Sequence, residues 1–99
     1  MVTREDVLLA LHDVEDPELG MDIVELGLVV DVEIAGPKVK ILHTLTSMGC
    51  PAGPMIQEDM HRAASELEGV DDVEIELTFD PPWTPDLMSD DAKFILGFG

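Results

Sequence analysis

Apolar residues along the chain follow first a helical and then an alternating period. Val7, Leu8, Leu11 and Val14 recur at helical spacing, and Thr3 with Asp6 three residues later is a capping-box variant. The pattern predicts an amphipathic helix over residues 3–13. Pro17 and Gly20 interrupt it, so residues 15–22 (EDPELGMD) read as a loop. Leu28, Val30, Val32 and Ile34 then face one way, with Val29, Asp31 and Glu33 on the other side. Gly36-Pro37 supplies a turn, and Val39, Ile41, His43 and Leu45 form the inward row of a second strand, completing a hairpin.

The helical period returns over residues 52–68, where Ile56, Met60, Ala63, Ala64 and Leu67 make a buried stripe that Gly69 ends. Pro51 and Pro54 fit there because first-turn amides have no helical acceptor. Val73, Ile75, Leu77 and Phe79 alternate with Glu74, Glu76 and Thr78 as a third strand. Residues 80–85 (DPPWTP) predict an extended, stiff segment, and a short helix over residues 90–96 follows Ser89. The order αββαβ(α) predicts an α+β fold, a two-layer sandwich with helices on one face of a small sheet. Ninety-nine residues are expected to form a single domain, residues 1–99, around one core.

Composition changes this picture in two respects. Twenty-two Asp and Glu against five Lys and Arg give a net charge of −17. Such a field repels phosphate backbones and anionic lipid surfaces, which argues against nucleic-acid and membrane partners. Set on an ordinary apolar core, it suggests an acidic, halophilic protein in which most carboxylates are solvated surface. The single cysteine excludes an internal disulfide and a CxxC zinc pair. The N-terminal run is too short and too acidic for a signal peptide, and no stretch approaches the ~20 apolar residues of a membrane span; the expected location is cytoplasmic.

Phosphate-binding glycine loops, HExxH and nucleophile elbows are missing from the sequence. Cys50 is the first candidate for chemistry. It stands at a strand-to-helix junction, where a helix N-terminus favours the thiolate, and the Thr46 and Ser47 hydroxyls are close in sequence. A lone cysteine is equally a small buried hydrophobe. Asp16 and Glu18 flank Pro17 and so can bind a cation or orient a partner, or simply decorate an acidic surface. His43 lies in an inward row and reads as a hydrogen-bonded core histidine rather than a ligand.

Three segments, EDPELGMDIVELGLV, TLTSMGCP and LTFDPPWTPDLMS, resemble in order and spacing the signature of the iron–sulfur cluster assembly (FSCA) domain. The likeness runs from Glu5 to Leu96. Relatives include SUF-associated accessory proteins (SufT-like), eukaryotic cytosolic iron–sulfur targeting factors and PaaD-like phenylacetate-degradation proteins. The resemblance implies an α+β fold and a cluster or partner site of Cys50, Asp16, Glu18, Thr46 and Ser47, with Cys50 at its centre. The sequence contains neither the cysteine-rich extension of the phenylacetate type nor a Walker A motif, so the expectation is a stand-alone accessory factor in metal–sulfur cluster biosynthesis, not an enzyme.

An iron–sulfur cluster usually needs four protein ligands, mostly cysteines, and this chain offers one. Cys50 is thus expected to be a transient metal ligand in a site shared with a scaffold or apo-target protein. A homodimer would bring two such thiolates together. No tightly bound cofactor is expected. Two rival readings differ in class: a thiol enzyme with Cys50 as nucleophile and His43 as base, and a protein–protein adaptor docking through Trp83 with Cys50 inert.

The charge makes a first prediction. Molar KCl should raise the melting temperature relative to dilute buffer by screening self-repulsion. A melting temperature that is flat or falls across a salt series would contradict the halophilic reading.

Overall fold

The computed structural model describes residues 2–46, 51–80 and 82–97. Helix α1 (Arg4–Leu11) begins as expected: Thr3 Oγ1 accepts from the Asp6 amide at 3.1 Å, and an Asp6 carboxylate oxygen accepts from the Thr3 amide at 3.0 Å. Val7 and Leu11 are its buried face.

The predicted loop after α1 is instead a miniature hairpin. Strands β1 (Glu15–Asp16) and β2 (Met21–Asp22) pair antiparallel, Glu15 opposite Asp22 and Asp16 opposite Met21. The turn between them closes on the Asp16 carbonyl, which accepts from the amides of Leu19 (3.2 Å) and Gly20 (2.8 Å). Gly20 takes φ +67°, a left-handed conformation natural to glycine. Two-residue strands leave no room for an alternation pattern, which is why only the turn residues were legible.

The main sheet has the order β3-β4-β5, formed by β3 (Val29–Ala35), β4 (Lys38–His43) and β5 (Asp72–Leu77). β3 and β4 pair antiparallel around Gly36-Pro37. Gly36 has φ +62°, and since Pro37 cannot take a positive φ, the pair fits a type II′ turn. β5 pairs with β4 in parallel, Lys38 opposite Asp72 through His43 opposite Leu77. That pairing requires a crossover, which helix α2 (Gly53–Ser65) supplies.

The inward row of β4 is as expected, with Val39, Ile41, His43 and Leu45 all buried. β3 departs from strict alternation. Val29 pairs with His43 but Asp31 with Leu42, so Val30 is an extra residue and the phase slips there. Val29, expected to face outward, therefore lies opposite the inward-facing His43 and packs against the core. In β5, Val73 is buried and Ile75 half-buried, but Leu77 is 38% exposed at the strand's end.

Ile56, Met60 and Ala64 of α2 are fully buried, with Ala63 and Leu67 packed partly against the core. α1 packs on α2 and β3, and α2 on β5, so both helices lie over the sheet. On the outward row, Lys40 reaches Glu76 at 3.2 Å and Glu74 at 3.9 Å. The Glu76 hydrogen bond and charge hold its ammonium above its usual pKa. Among the described residues no helix is long and apolar enough to cross a membrane.

The C-terminal segment is a strap: a 3₁₀ turn (Pro85–Leu87) and helix α3 (Asp90–Leu96), capped by the Ser89 hydroxyl accepting from the Ala92 amide. It is anchored to the bend after β2. The Trp83 indole N–H donates to the Leu26 carbonyl at 2.6 Å, the Ser89 amide donates to the Glu25 carbonyl at 2.8 Å, and the Ser89 hydroxyl donates to the Glu25 carboxylate. Gly27 allows this closure. At φ +77°, a Cβ there would stand 2.3 Å from the Leu87 carbonyl oxygen.

His43 is fully buried, with Nδ1 3.2 Å from the Thr44 carbonyl oxygen and Nε2 3.1 Å from the Gln57 side-chain nitrogen. A neutral ring with the proton on Nδ1 satisfies both, donating to Thr44 and accepting from Gln57. Desolvation disfavours the imidazolium and pushes the pKa below its ordinary 6.5.

Two predictions come from this architecture. Gly27→Ala should destabilise by about 2–4 kcal/mol, combining a left-handed alanine with the Leu87 clash. Gly36→Ala, with nothing within 4 Å of the added Cβ, should cost only about 1–2 kcal/mol. Equal losses in denaturant melts would mean that the strap does not press on Gly27. For His43, the unfolded chain protonates near 6.5 and the folded one only below that value. Stability is therefore full above the unfolded pKa and falls as pH drops from there toward the folded pKa. A ring titration by NMR should return a His43 pKa below 6.5; a value at or above it would contradict the buried neutral ring.

Candidate functional site

Asp16 is fully buried, against the expectation for a generic carboxylate in so acidic a chain. Its position follows from local chemistry. An Asp before Pro readily forms an Asx turn, and here Asp16 Oδ1 accepts from the Glu18 amide at 2.9 Å. The other oxygen, Oδ2, is also buried and has no hydrogen-bond partner among the described residues. A buried acceptor without a donor costs about 1–3 kcal/mol, more when charged, so its retention points to a use beyond packing. The Glu18 side chain, two residues on in the turn, is exposed.

A run of backbone hydrogen bonds ties this hairpin to the end of β4. The Ile23 amide donates to the Val14 carbonyl (2.9 Å), Leu28 to Ile23 (3.0 Å), and Thr44 to Leu28 (2.8 Å). The turn carrying Asp16 and Glu18 is thereby connected, strand by strand, to the residues that leave β4. Thr44 is fully buried and Thr46 half-buried just beyond it.

Ser47 and Cys50 lie outside the described residues. The segment that carries them has fixed flanks. Gly53, at the start of α2, comes so close to Leu45 that a Cβ there would stand 2.9 Å from the leucine Cδ1. The N-cap of α2, Ala52, offers no side-chain acceptor, and its first turn holds no acid. By contrast, α1 and α3 begin with Glu5–Asp6 and Asp90–Asp91. The positive end of the α2 dipole is thus left without a compensating carboxylate of its own.

Thr44 and Gln57 were not singled out from sequence. Thr44 would have been found as the residue following the inward His43, and Gln57 as the neutral polar residue beside the buried Ile56. With both His43 nitrogens engaged by these neighbours, the histidine is held as a structural group rather than presented as a base. Trp83, the hook of the adaptor reading, is half-buried and bonded to Leu26.

Comparison with known proteins places the chain in a family. The profile of a family described as "Iron-sulfur cluster assembly protein" matches residues 4–77. The chain is 47% identical over 95 residues to the Fe-S protein maturation auxiliary factor YitW of Bacillus subtilis, covering 95% of this chain and 93% of that protein. It is also 47% identical over 83 residues to the Fe-S protein maturation auxiliary factor SufT of Staphylococcus aureus, covering 83% and 94%. The crystal structure of a domain of unknown function, DUF59, from Bacillus anthracis superposes with a TM-score of 0.91 at 38% identity, over 96% of this chain and 92% of that one. On the family profile, the identities and the shared fold together, this chain belongs to the iron–sulfur cluster assembly protein family.

Proposed function

We propose that the protein is an accessory factor in iron–sulfur protein maturation that passes clusters to apoproteins through Cys50 as a transient ligand. Asp16, Glu18, Thr46 and Ser47 are assigned to the same cluster or partner site on the family resemblance, with Asp16 and Glu18 on the β1–β2 turn and Thr46 just beyond β4. The observation that carries the reading is the buried, unpartnered Oδ2 of Asp16 on a turn wired by backbone bonds to the exit of β4.

Cys50 stands two residues before the α2 N-cap, where first-turn amides and the helix dipole favour a thiolate. The net negative charge of the chain opposes this, and salt screens that remote charge more than it weakens a helix terminus close by. One cysteine cannot cage a cluster alone, so the remaining ligands come from a scaffold, an apo-target or a second copy of the chain. Incomplete ligation suits transfer, because a fully caged cluster would not leave. The cytoplasm, where thiols stay reduced, is the compartment in which such a cysteine operates. Catalytic turnover has no part in this reading: the histidine nearest in sequence to Cys50 already has both ring nitrogens bonded.

Anaerobic incubation with iron and sulfide, followed by visible absorption and transfer to an apo-ferredoxin, tests the proposal. The wild type should acquire the cluster chromophore and pass it on, and Cys50→Ser should do neither. Glu18→Gln should change stability by less than about 0.5 kcal/mol yet lower cluster uptake. A Cys50→Ser chain as competent as the wild type would overturn the assignment in favour of an adaptor with an inert cysteine.

A further inference from the structure

A group of side chains able to ligate a metal ion lies beside the bend after β2, separate in sequence from the Cys50 segment. His12 caps the C-terminus of α1, Asp22 ends β2, and Glu25 lies in the bend that follows. One ligand atom from each lies within 4.8 Å of the others. His12 Nδ1 and Asp22 Oδ2 are 3.2 Å apart. Two ligands each about 2.1 Å from one ion are separated by roughly 3.0–3.4 Å, so this contact has the edge length of a coordination polyhedron.

The carboxylates are held in a manner suited to ligation. Asp22 Oδ1 accepts from the Glu25 amide at 2.8 Å, so Oδ2 is the oxygen turned to His12. Glu25 Oε2 accepts from the Ser89 hydroxyl, which leaves Oε1. Each carboxylate is thus oriented by a donor that is not itself a ligand atom, the Glu25 amide for Asp22 and the Ser89 hydroxyl for Glu25, as outer-shell partners orient metal ligands. The group is neither fully buried nor fully solvated: the His12 side chain is 37% exposed and that of Asp22 20%. Surface ion pairs need no such fixing, and their contribution is small.

We infer that His12, Asp22 and Glu25 form a binding site for a single first-row divalent transition cation, with its remaining positions open to water or to a ligand from another protein. One imidazole and two carboxylates form a borderline nitrogen–oxygen donor set suited to iron(II) or zinc, whereas magnesium and calcium favour oxygen alone. The site contains no thiolate, so it stands or falls independently of Cys50. Because Ser89 belongs to the C-terminal strap, an ion held here would also pin the strap to the bend.

Zinc titrated calorimetrically into the full chain carrying Cys50→Ser tests the site. Molar KCl and excess magnesium occupy the generic carboxylate surface. One zinc should bind per chain, and His12→Asn should weaken it by about tenfold or more. Glu25→Gln should do the same, and Ser89→Ala, acting through Glu25, should weaken it by about tenfold. His12 is an α1 cap whose backbone bonds do not involve the ring, so circular dichroism should show an unchanged fold in His12→Asn. By NMR, zinc should shift the His12 ring signals and leave those of His61, exposed on α2, in place. Equal zinc affinity with and without His12, binding that vanishes with Cys50→Ser alone, or a response centred on His61 would each overturn the assignment.

Discussion

The placement of the Asp16 turn depends on three backbone hydrogen bonds, Ile23 to Val14, Leu28 to Ile23 and Thr44 to Leu28. They extend the pairing of the main sheet through irregular chain as far as a hairpin with two residues on each strand. Such a hairpin has no stability of its own in water. It persists because both its flanks are held, with Ile23, Leu26 and Leu28 fully buried beneath it. The Asp16 turn therefore inherits its rigidity from the core, as the proposed site would require.

The cost of burying polar groups is confined to the same region. Among the described residues, the buried polar or charged side chains are Asp16, His43 and Thr44. His43 and Thr44 adjoin in sequence, and Asp16 is joined to them by the backbone run. Elsewhere the interior is aliphatic, and the negative charge is spread over the surface. The few cations are drawn into it, as with Lys40 between Glu74 and Glu76 on the outward row. A chain carrying −17 that nevertheless buries a carboxylate with one oxygen unpartnered has done so against both desolvation and its own field.

Long periodic elements were legible in the sequence, because repeated apolar positions average over local exceptions. The α2 stripe, the β4 inward row and the Thr3 cap are where pattern and capping chemistry put them, and α3 follows Ser89 as expected. Single-residue events were not legible. The Val30 bulge moves Val29 to the core side, and nothing in a run of valines marks which one is the extra residue. The parallel placement of β5 is likewise invisible to alternation, since either edge of the hairpin would bury Val73 equally well. Of the site, Asp16 was marked by its place before Pro17 and by family resemblance. Its burial was not, because composition made every acid look like surface. The strap's grip on Gly27 joins residues sixty positions apart, beyond the reach of any local signal.

Under the proposed function this arrangement separates two tasks that conflict. Holding the turn rigid requires dense hydrogen bonding, which the ladder and the Asx turn provide. Releasing a metal cargo, as proposed, requires that coordination be incomplete, which a single cysteine per chain would leave. The strap braces the bend after β2 through the Trp83 indole bond to the Leu26 carbonyl and the close approach of the Leu87 backbone to Gly27, contacts that involve none of the proposed ligand atoms. Rigidity resides in the backbone and in apolar packing, lability in the ligand count. On the proposed function, a second cysteine would strengthen binding and thereby slow transfer.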